Sequence, residues 1–200
     1  METLGITVST GPVVAFRAKH FLLKQVKPGA VPLIHPLHFH LTHCRWPQEN
    51  PKKPNGILKS EETEKMLFPS GYYCAVKRFS AKEEKRRITA CVITPDDFPN
   101  MDYLGFENHL NVFHHHKKGI DKNLAFGLMV FLNSKMVDEF FRTFNGHTQV
   151  NAMDLKQILY PSTNSLTSLG IWAQSQDDLT LEKIDKKVEE TLCKKMRMSI

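Results

Sequence analysis

The chain mixes short apolar runs, broken by proline and glycine, with a few long segments of clear hydrophobic pattern. The long segments predict most of the architecture. Gly71 to Ala81 (GYYCAVKRFSA) and Arg86 to Pro95 (RRITACVITP) are apolar, β-branched and aromatic, and Lys82 to Lys85 joins them, which predicts a β-hairpin with a basic, polar tip. Tyr103 to His115 (YLGFENHLNVFHH) predicts another strand. Leu104, Phe106, Leu110 and Val112 share one of its faces, while Glu107, His109 and Asn111 project from the other. Lys122 to Arg142 repeats apolar residues at three-to-four spacing and predicts a helix buried against the sheet. Asn133-Ser134 offers a break in it, so one helix and two stand as alternatives, and Gly127 suits close approach of a strand. Leu179 to Met196 predicts a charged amphipathic helix with Leu181, Ile184, Val188 and Leu192 on one stripe, either packed on the core or offered to a partner.

The remaining signals are shorter. Gly11 to Arg17 reads as a first strand with Pro12 near its start, and Val31 to Phe39 as a second strand interrupted by prolines. Trp46 to Gly56 reads as a loop, Ser60 to Leu67 as a short helix with Ser60 as N-cap, and Ser165 to Gln174 as a linker leading into a helix. The predicted class is α/β of the α+β type: a mixed, largely antiparallel twisted sheet backed by a long apolar helix, with a C-terminal helical tail.

Composition narrows the class without naming a function. Two hundred residues, 41% hydrophobic and 24% charged, describe an ordinary globular protein with room for a real core. No run reaches the length of a membrane span, and the N-terminus carries no signal-peptide pattern, so no membrane partner and a cytoplasmic location are expected. Cys44, Cys74, Cys91 and Cys193 are scattered and are read as reduced thiols. The net charge of +6 leans towards a polyanionic partner.

Candidate chemistry concentrates in two places. The positive charge of the first half gathers at Lys52-Lys53, at Lys77 and Arg78, and at Lys82, Lys85, Arg86 and Arg87, with Ser80 among the later ones as a neutral donor. Such a run reads either as a solvated hairpin tip or as a set of phosphate contacts. Phe144 to Pro161 (FNGHTQVNAMDLKQILYP) reads as a turn, a polar loop and a short helix. Asn145-Gly146 signals the turn through a positive φ, and His147, Thr148, Gln149 and Asn151 follow in the loop. Their donors and acceptors either satisfy the local backbone or read base edges. Metal sites are weakly indicated. His38 and His40 would share a strand face beside His43 and Cys44, but no dependable third and fourth ligand appears. The acidic pairs Asp96-Asp97 and Asp177-Asp178 lack the further acids a magnesium nuclease needs.

The succession of VKRFSAKEEKRR, a strand, GFENHLNVFH, an apolar helix with LNS-x5-FFR, and FNGHTQVNAMDLKQILYP resembles the C-terminal target-recognition domain of adenine-specific DNA methyltransferases of type II restriction-modification systems. A looser resemblance is to the specificity subunits of type I systems. The match covers roughly residues 11–161. It implies double-stranded DNA and a catalytic methyltransferase domain or subunit as partners. Lys77, Arg78, Ser80, Lys82, Lys85, Arg86 and Arg87 would then lie on phosphates, and His147, Thr148, Gln149 and Asn151, with Asn108 and His109 as a second surface, on bases. The implied division is a DNA target-recognition domain over 1–161 and a helical extension over 162–200 packed on it.

The catalytic hallmarks of that family are missing. There is no Asn/Asp-Pro-Pro-Tyr/Phe motif, since Asn50-Pro51 runs into Lys52-Lys53, and no Gly-x-Gly for S-adenosylmethionine. The expectation is a detached recognition domain with no cofactor and no metal of its own and no methyl transfer alone. S-adenosylmethionine would bind the catalytic domain. The alternative is a protein-interaction module that docks a separate methylase or restriction subunit.

Overall fold

A computed structural model of the chain describes residues 4–49 and 52–197. Asn50-Pro51, and the side chain of Cys193, lie outside the described residues.

Eleven short strands and six helices are described. The strands are β1 (Thr7–Thr10), β2 (Leu22–Leu23), β3 (Ala30–Ile34), β4 (Phe39–His40), β5 (His43–Cys44), β6 (Gly56–Leu58), β7 (Leu67–Pro69), β8 (Tyr73–Lys77), β9 (Ala90–Ile93), β10 (Tyr103–Phe106) and β11 (Leu110–His114). The helices are α1 (Glu61–Glu64), α2 (Lys122–Leu132), α3 (Lys135–Phe144), α4 (Ala152–Gln157), α5 (Thr163–Gln174) and α6 (Leu181–Arg197). The class is α+β, as its patterns predict. Among the described residues no helix is long and apolar enough to cross a membrane.

A four-stranded antiparallel sheet, in the order β1-β11-β8-β9, carries the predicted hairpin as β8 and β9. Its neighbouring side chains alternate between two cores. Cys74, Val76, Ala90, Val92 and Phe113 face the helices. Tyr73, Ala75, Cys91, Ile93, Leu110 and Val112 face the opposite cluster with Phe68, Phe98 and Phe106. Burial on both faces explains why these strands read as continuous apolar runs.

A second sheet, β2-β6-β3-β10-β7, is antiparallel except for the β3–β10 pair. The predicted strand over 103–115 is therefore two strands in two sheets. Its corner, Glu107-Asn108-His109, is closed by the Glu107 carboxylate, which accepts from the His109 N–H at 2.8 Å. The strand expected over Gly11 to Arg17 lies earlier, at β1. Gly11 passes so close to the corner that a Cβ there would sit 2.3 Å from the Glu107 carbonyl oxygen. The run expected over Val31 to Phe39 ends at Ile34, because Pro36 opens a single 3-10 turn through His38. Ser60 caps α1 as predicted, but α1 is one turn long and the chain resumes as strand β7.

The long apolar helix breaks where Asn133 and Ser134 stand. Asn133 hydrogen-bonds both backbone groups of Ala90, at 3.1 and 2.9 Å, so its amide closes part of the exposed edge of β9. Ser134 then caps α3 by accepting from the Val137 N–H. Gly127 receives a helix, not a strand. A Cβ on it would lie 1.9 Å from the Leu166 carbonyl oxygen, and one on Gly170 would lie 1.8 Å from that of Asn123. The weakly signalled segment 165–174 is thus α5, in backbone contact with α2. The stripe of α6 is packed on the core, with Ile184 and Val188 fully buried.

Candidate nucleic-acid interface

Three segments meet beside the end of β8. The chain leaving β8 runs antiparallel to the 146–150 loop: Phe79 bridges Gln149, the Ser80 N–H donates to the Thr148 carbonyl at 3.0 Å, and the Val150 N–H donates to the Arg78 carbonyl at 2.7 Å. On its other side the Arg78 N–H donates to the His109 carbonyl at 2.8 Å. The two surfaces predicted separately, 147–151 and 108–109, are therefore flanks of one face.

The loop is held from beneath. Asn111, fully buried on β11, donates to the Val150 carbonyl at 2.6 Å and accepts from Thr10. The Asn145 amide donates to the Gln149 carbonyl and to Asp154, and its oxygen accepts from the His147 N–H. The turn thus rests on the Asn145 side chain. Gly146 does not take the positive φ expected of it, and a Cβ there would meet nothing within 4 Å. With the loop carbonyls satisfied from within, His147 and Thr148 are exposed and Gln149 is half-buried. The side chains of these three residues make no hydrogen bond among the described residues. Asn151 begins α4, with its N–H donating to Asp154 at 2.9 Å. With Lys82 and Gly146, these four residues line an open cleft of about 520 Å³.

The basic residues divide into three groups. Lys82 is exposed at the cleft, and Lys77 and Arg78 are half-buried at the end of β8, where the Arg78 guanidinium donates to the Asn108 carbonyl. Lys85 and Arg86 turn towards α6, pairing with Glu182 at 3.4 Å and Asp185 at 2.5 Å. The first pair is exposed on both sides and contributes little, whereas the second is largely covered and ties the tip to α6. Arg87 is not on the surface. Only 2% exposed, it donates to Asn145 and to the His147 carbonyl over the Phe141 ring, which makes it a strut under the loop and removes it from the phosphate set. Ser80 is likewise 4% exposed, with its hydroxyl turned to the Ala81 carbonyl, so its side chain does not present a donor on the face.

Asp138 organises the tip. It accepts from the Arg87 N–H at 2.5 Å and the Arg142 Nε at 2.7 Å, and Arg142 in turn donates to the Lys82 and Glu84 carbonyls. Buried Glu107 plays the matching part at the corner, 3.1 Å from His109 Nδ1 and 3.8 Å from His35 Nδ1. Burial alone would raise its carboxyl, but the His35 and His109 groups around it hold it below the usual carboxylate range.

Two contributors lie outside the candidate site residues predicted from the sequence, although the charge at Lys52-Lys53 is legible there. Lys53, from the 46–56 loop, reaches His109 Nδ1 at 3.3 Å, and Phe79 is 45% exposed in the middle of the face. Lysine in a Pro-rich loop and phenylalanine in a strand give no sign of such positions.

The histidine clusters do not converge. His38 is buried in its 3-10 turn, while His40 and His43 stack across β4 and β5 with ring centroids 5.1 Å apart. Among the described residues no group of three or more His, Cys, Asp or Glu is placed to hold a metal. Among the described residues, the parallel strands offer no glycine-rich cradle for S-adenosylmethionine either. The parallel strands β3 and β10 lead into a proline turn and the Glu107 corner, not into a glycine-rich turn and helix.

No family model matches the chain. It is 51% identical over 193 residues to the type II methyltransferase M.BsuBI of Bacillus subtilis, a match covering 96% of this chain and 38% of that protein. It is 45% identical over 170 residues to the type II methyltransferase M.PstI of Providencia stuartii, covering 85% of this chain and 33% of that protein. The chain spans about a third of the length of these relatives, and it is homologous to a segment of type II methyltransferases.

Proposed function

We propose that this chain is the sequence-specific double-stranded DNA recognition unit of an adenine-specific type II methyltransferase and transfers no methyl group alone. The observation that carries the reading is the 146–150 loop. Its backbone is fixed by Asn111, Asn145 and Arg87, so that His147, Thr148 and Gln149 are presented with their hydrogen-bonding capacity unused. Base-edge readout needs such donors and acceptors held in register by other contacts. Gln149 suits a bidentate pair with adenine, and Arg78, Lys82 and Lys53 would take phosphates. The recognition residues would lie within 1–161, with α5 and α6 of the 162–200 extension buttressing them. Similarity to type II methyltransferases supports the reading. A base-modifying enzyme must hold its duplex while the target base leaves the stack.

Selection from a random-sequence duplex pool tests this. The expected result is enrichment of one short site, with Gln149→Ala relaxing the preference at one position while general affinity persists. No duplex binding at low salt, or binding without any sequence preference, would overturn it.

A second reading rests on α3. Met136, Phe140 and Phe144 form an exposed stripe, each about two-fifths exposed, that suits docking to a catalytic polypeptide. The α6 stripe expected for that role is buried in the chain's own core.

A further inference from the structure

We propose that Phe79 is a wedge that enters the base stack of the bound duplex, an inference that rests on the DNA-recognition reading above. Phe79 is a large apolar side chain left 45% exposed among polar and cationic neighbours. Its ring meets the His109 imidazole edge-on at 5.0 Å between centroids, and the Arg78 guanidinium carbon lies 5.7 Å from the ring centroid. The backbone on both sides is clamped. Arg78 bonds His109 and Val150, Ser80 bonds Thr148, and Phe79 itself bridges Gln149. With its backbone fixed on both sides, the place of Phe79 on this face is a property of the site.

The surroundings decide what it meets. An apolar protein surface covering Phe79 would have to desolvate the Arg78 guanidinium, whose one carbonyl partner, that of Asn108, leaves its charge uncompensated, which is costly. A duplex offers both chemistries at once, phosphates to the cations and stacked π-faces to the ring. Apolar side chains that enter a base step unstack it and kink the helix, and they gain where the step is already weak. Phe79 sits beside the unpaired side chains of the 147–149 loop, so the unstacked step adjoins the bases those residues would read.

The test uses a mixed-sequence duplex with 2-aminopurine in place of single adenines, a base that brightens when it leaves the stack. Wild-type protein is expected to brighten the probe at one step. Phe79→Ala should abolish that signal and weaken binding on the order of tenfold, the value of one base–aromatic stack. Its binding should keep the wild-type salt dependence. Phe79→Leu, which keeps an apolar wedge, should retain part of the brightening. On a duplex with an abasic gap at that step, wild type should gain affinity and Phe79→Ala should not. Wild-type binding with no brightening at any step, or an undiminished signal from Phe79→Ala, would overturn the wedge and leave the recognition reading standing. Absence of duplex binding by the wild type would overturn both.

Discussion

Asp138→Ala separates a tip held by design from one that is merely nearby. The carboxylate is about 5% exposed and has two partners, the Arg87 backbone N–H at 2.5 Å and Arg142 Nε at 2.7 Å. Truncation leaves the buried Arg87 N–H without an acceptor, which costs about 1–3 kcal/mol. It also removes an i,i+4 ion pair whose arginine side chain is about a third exposed, worth about 0.5–1 kcal/mol at most. The sum is about 1.5–4 kcal/mol. Asp138→Asn keeps one oxygen for the Arg87 N–H but turns an amide NH2 towards the Arg142 Nε–H, so it loses the Arg142 pair and should cost nearer 1 kcal/mol. Urea unfolding with an unchanged m-value measures both. Hydrogen exchange adds a local readout. Without Asp138, Arg142 loses the contact that aims it at the Lys82 and Glu84 carbonyls, and the amides of 81–87 should exchange faster at neutral pH. Equal costs for the two variants, both below about 0.5 kcal/mol, with unchanged exchange, would refute the assignment of Asp138 as the anchor of the basic tip.

Three further outcomes follow from the same contacts. Gly170→Ala places a Cβ 1.8 Å from the Asn123 carbonyl oxygen and should cost at least about 3 kcal/mol, lowering Tm by about 6–12 °C, whereas Gly146→Ala in open space should shift it little. Asn111→Leu should cost about 2 kcal/mol through the orphaned Val150 carbonyl, and should raise exchange across 147–151 in the same experiment. Burial, and secondarily neighbouring His35, lowers the His38 pKa from 6.5 to about 4. Its imidazole is therefore neutral in the fold while the unfolded chain takes up a proton. That contribution to stability is whole above pH 6.5 and is lost as pH falls towards 4, on the order of 3 kcal/mol. His38→Gln should flatten this part of the urea-stability profile.

Patterns long enough to carry a period were legible in the sequence. The β8–β9 hairpin, the apolar run of α2 and the α6 stripe are such patterns, and Asn133-Ser134 marked the break between α2 and α3. Of the second sheet only β3 and β10 were legible, because strands of two or three residues such as Leu22–Leu23 and Gly56–Leu58 contain less than two repeats of any pattern. Its β3–β10 pair is also joined only by distant sequence. The corner at Glu107 hid inside an alternating run, because a turn closed by a carboxylate has no glycine or proline to announce it. Charge was the least reliable guide to the site. Arg87 and Lys82 look alike in KEEKRR, yet one is a buried strut and the other lies open at the cleft.

The salt dependence of duplex binding tests the central claim most directly. Fluorescence anisotropy at several salt concentrations gives the slope of log K against log[salt], which falls by about 0.9 for each phosphate contact removed. The face described here predicts a slope shallower by about 2 for Lys53→Ala/Lys82→Ala, and an unchanged slope for Lys186→Ala on α6. An unchanged slope for the double variant, or an equal loss from Lys186→Ala, would contradict the placement of DNA on this face.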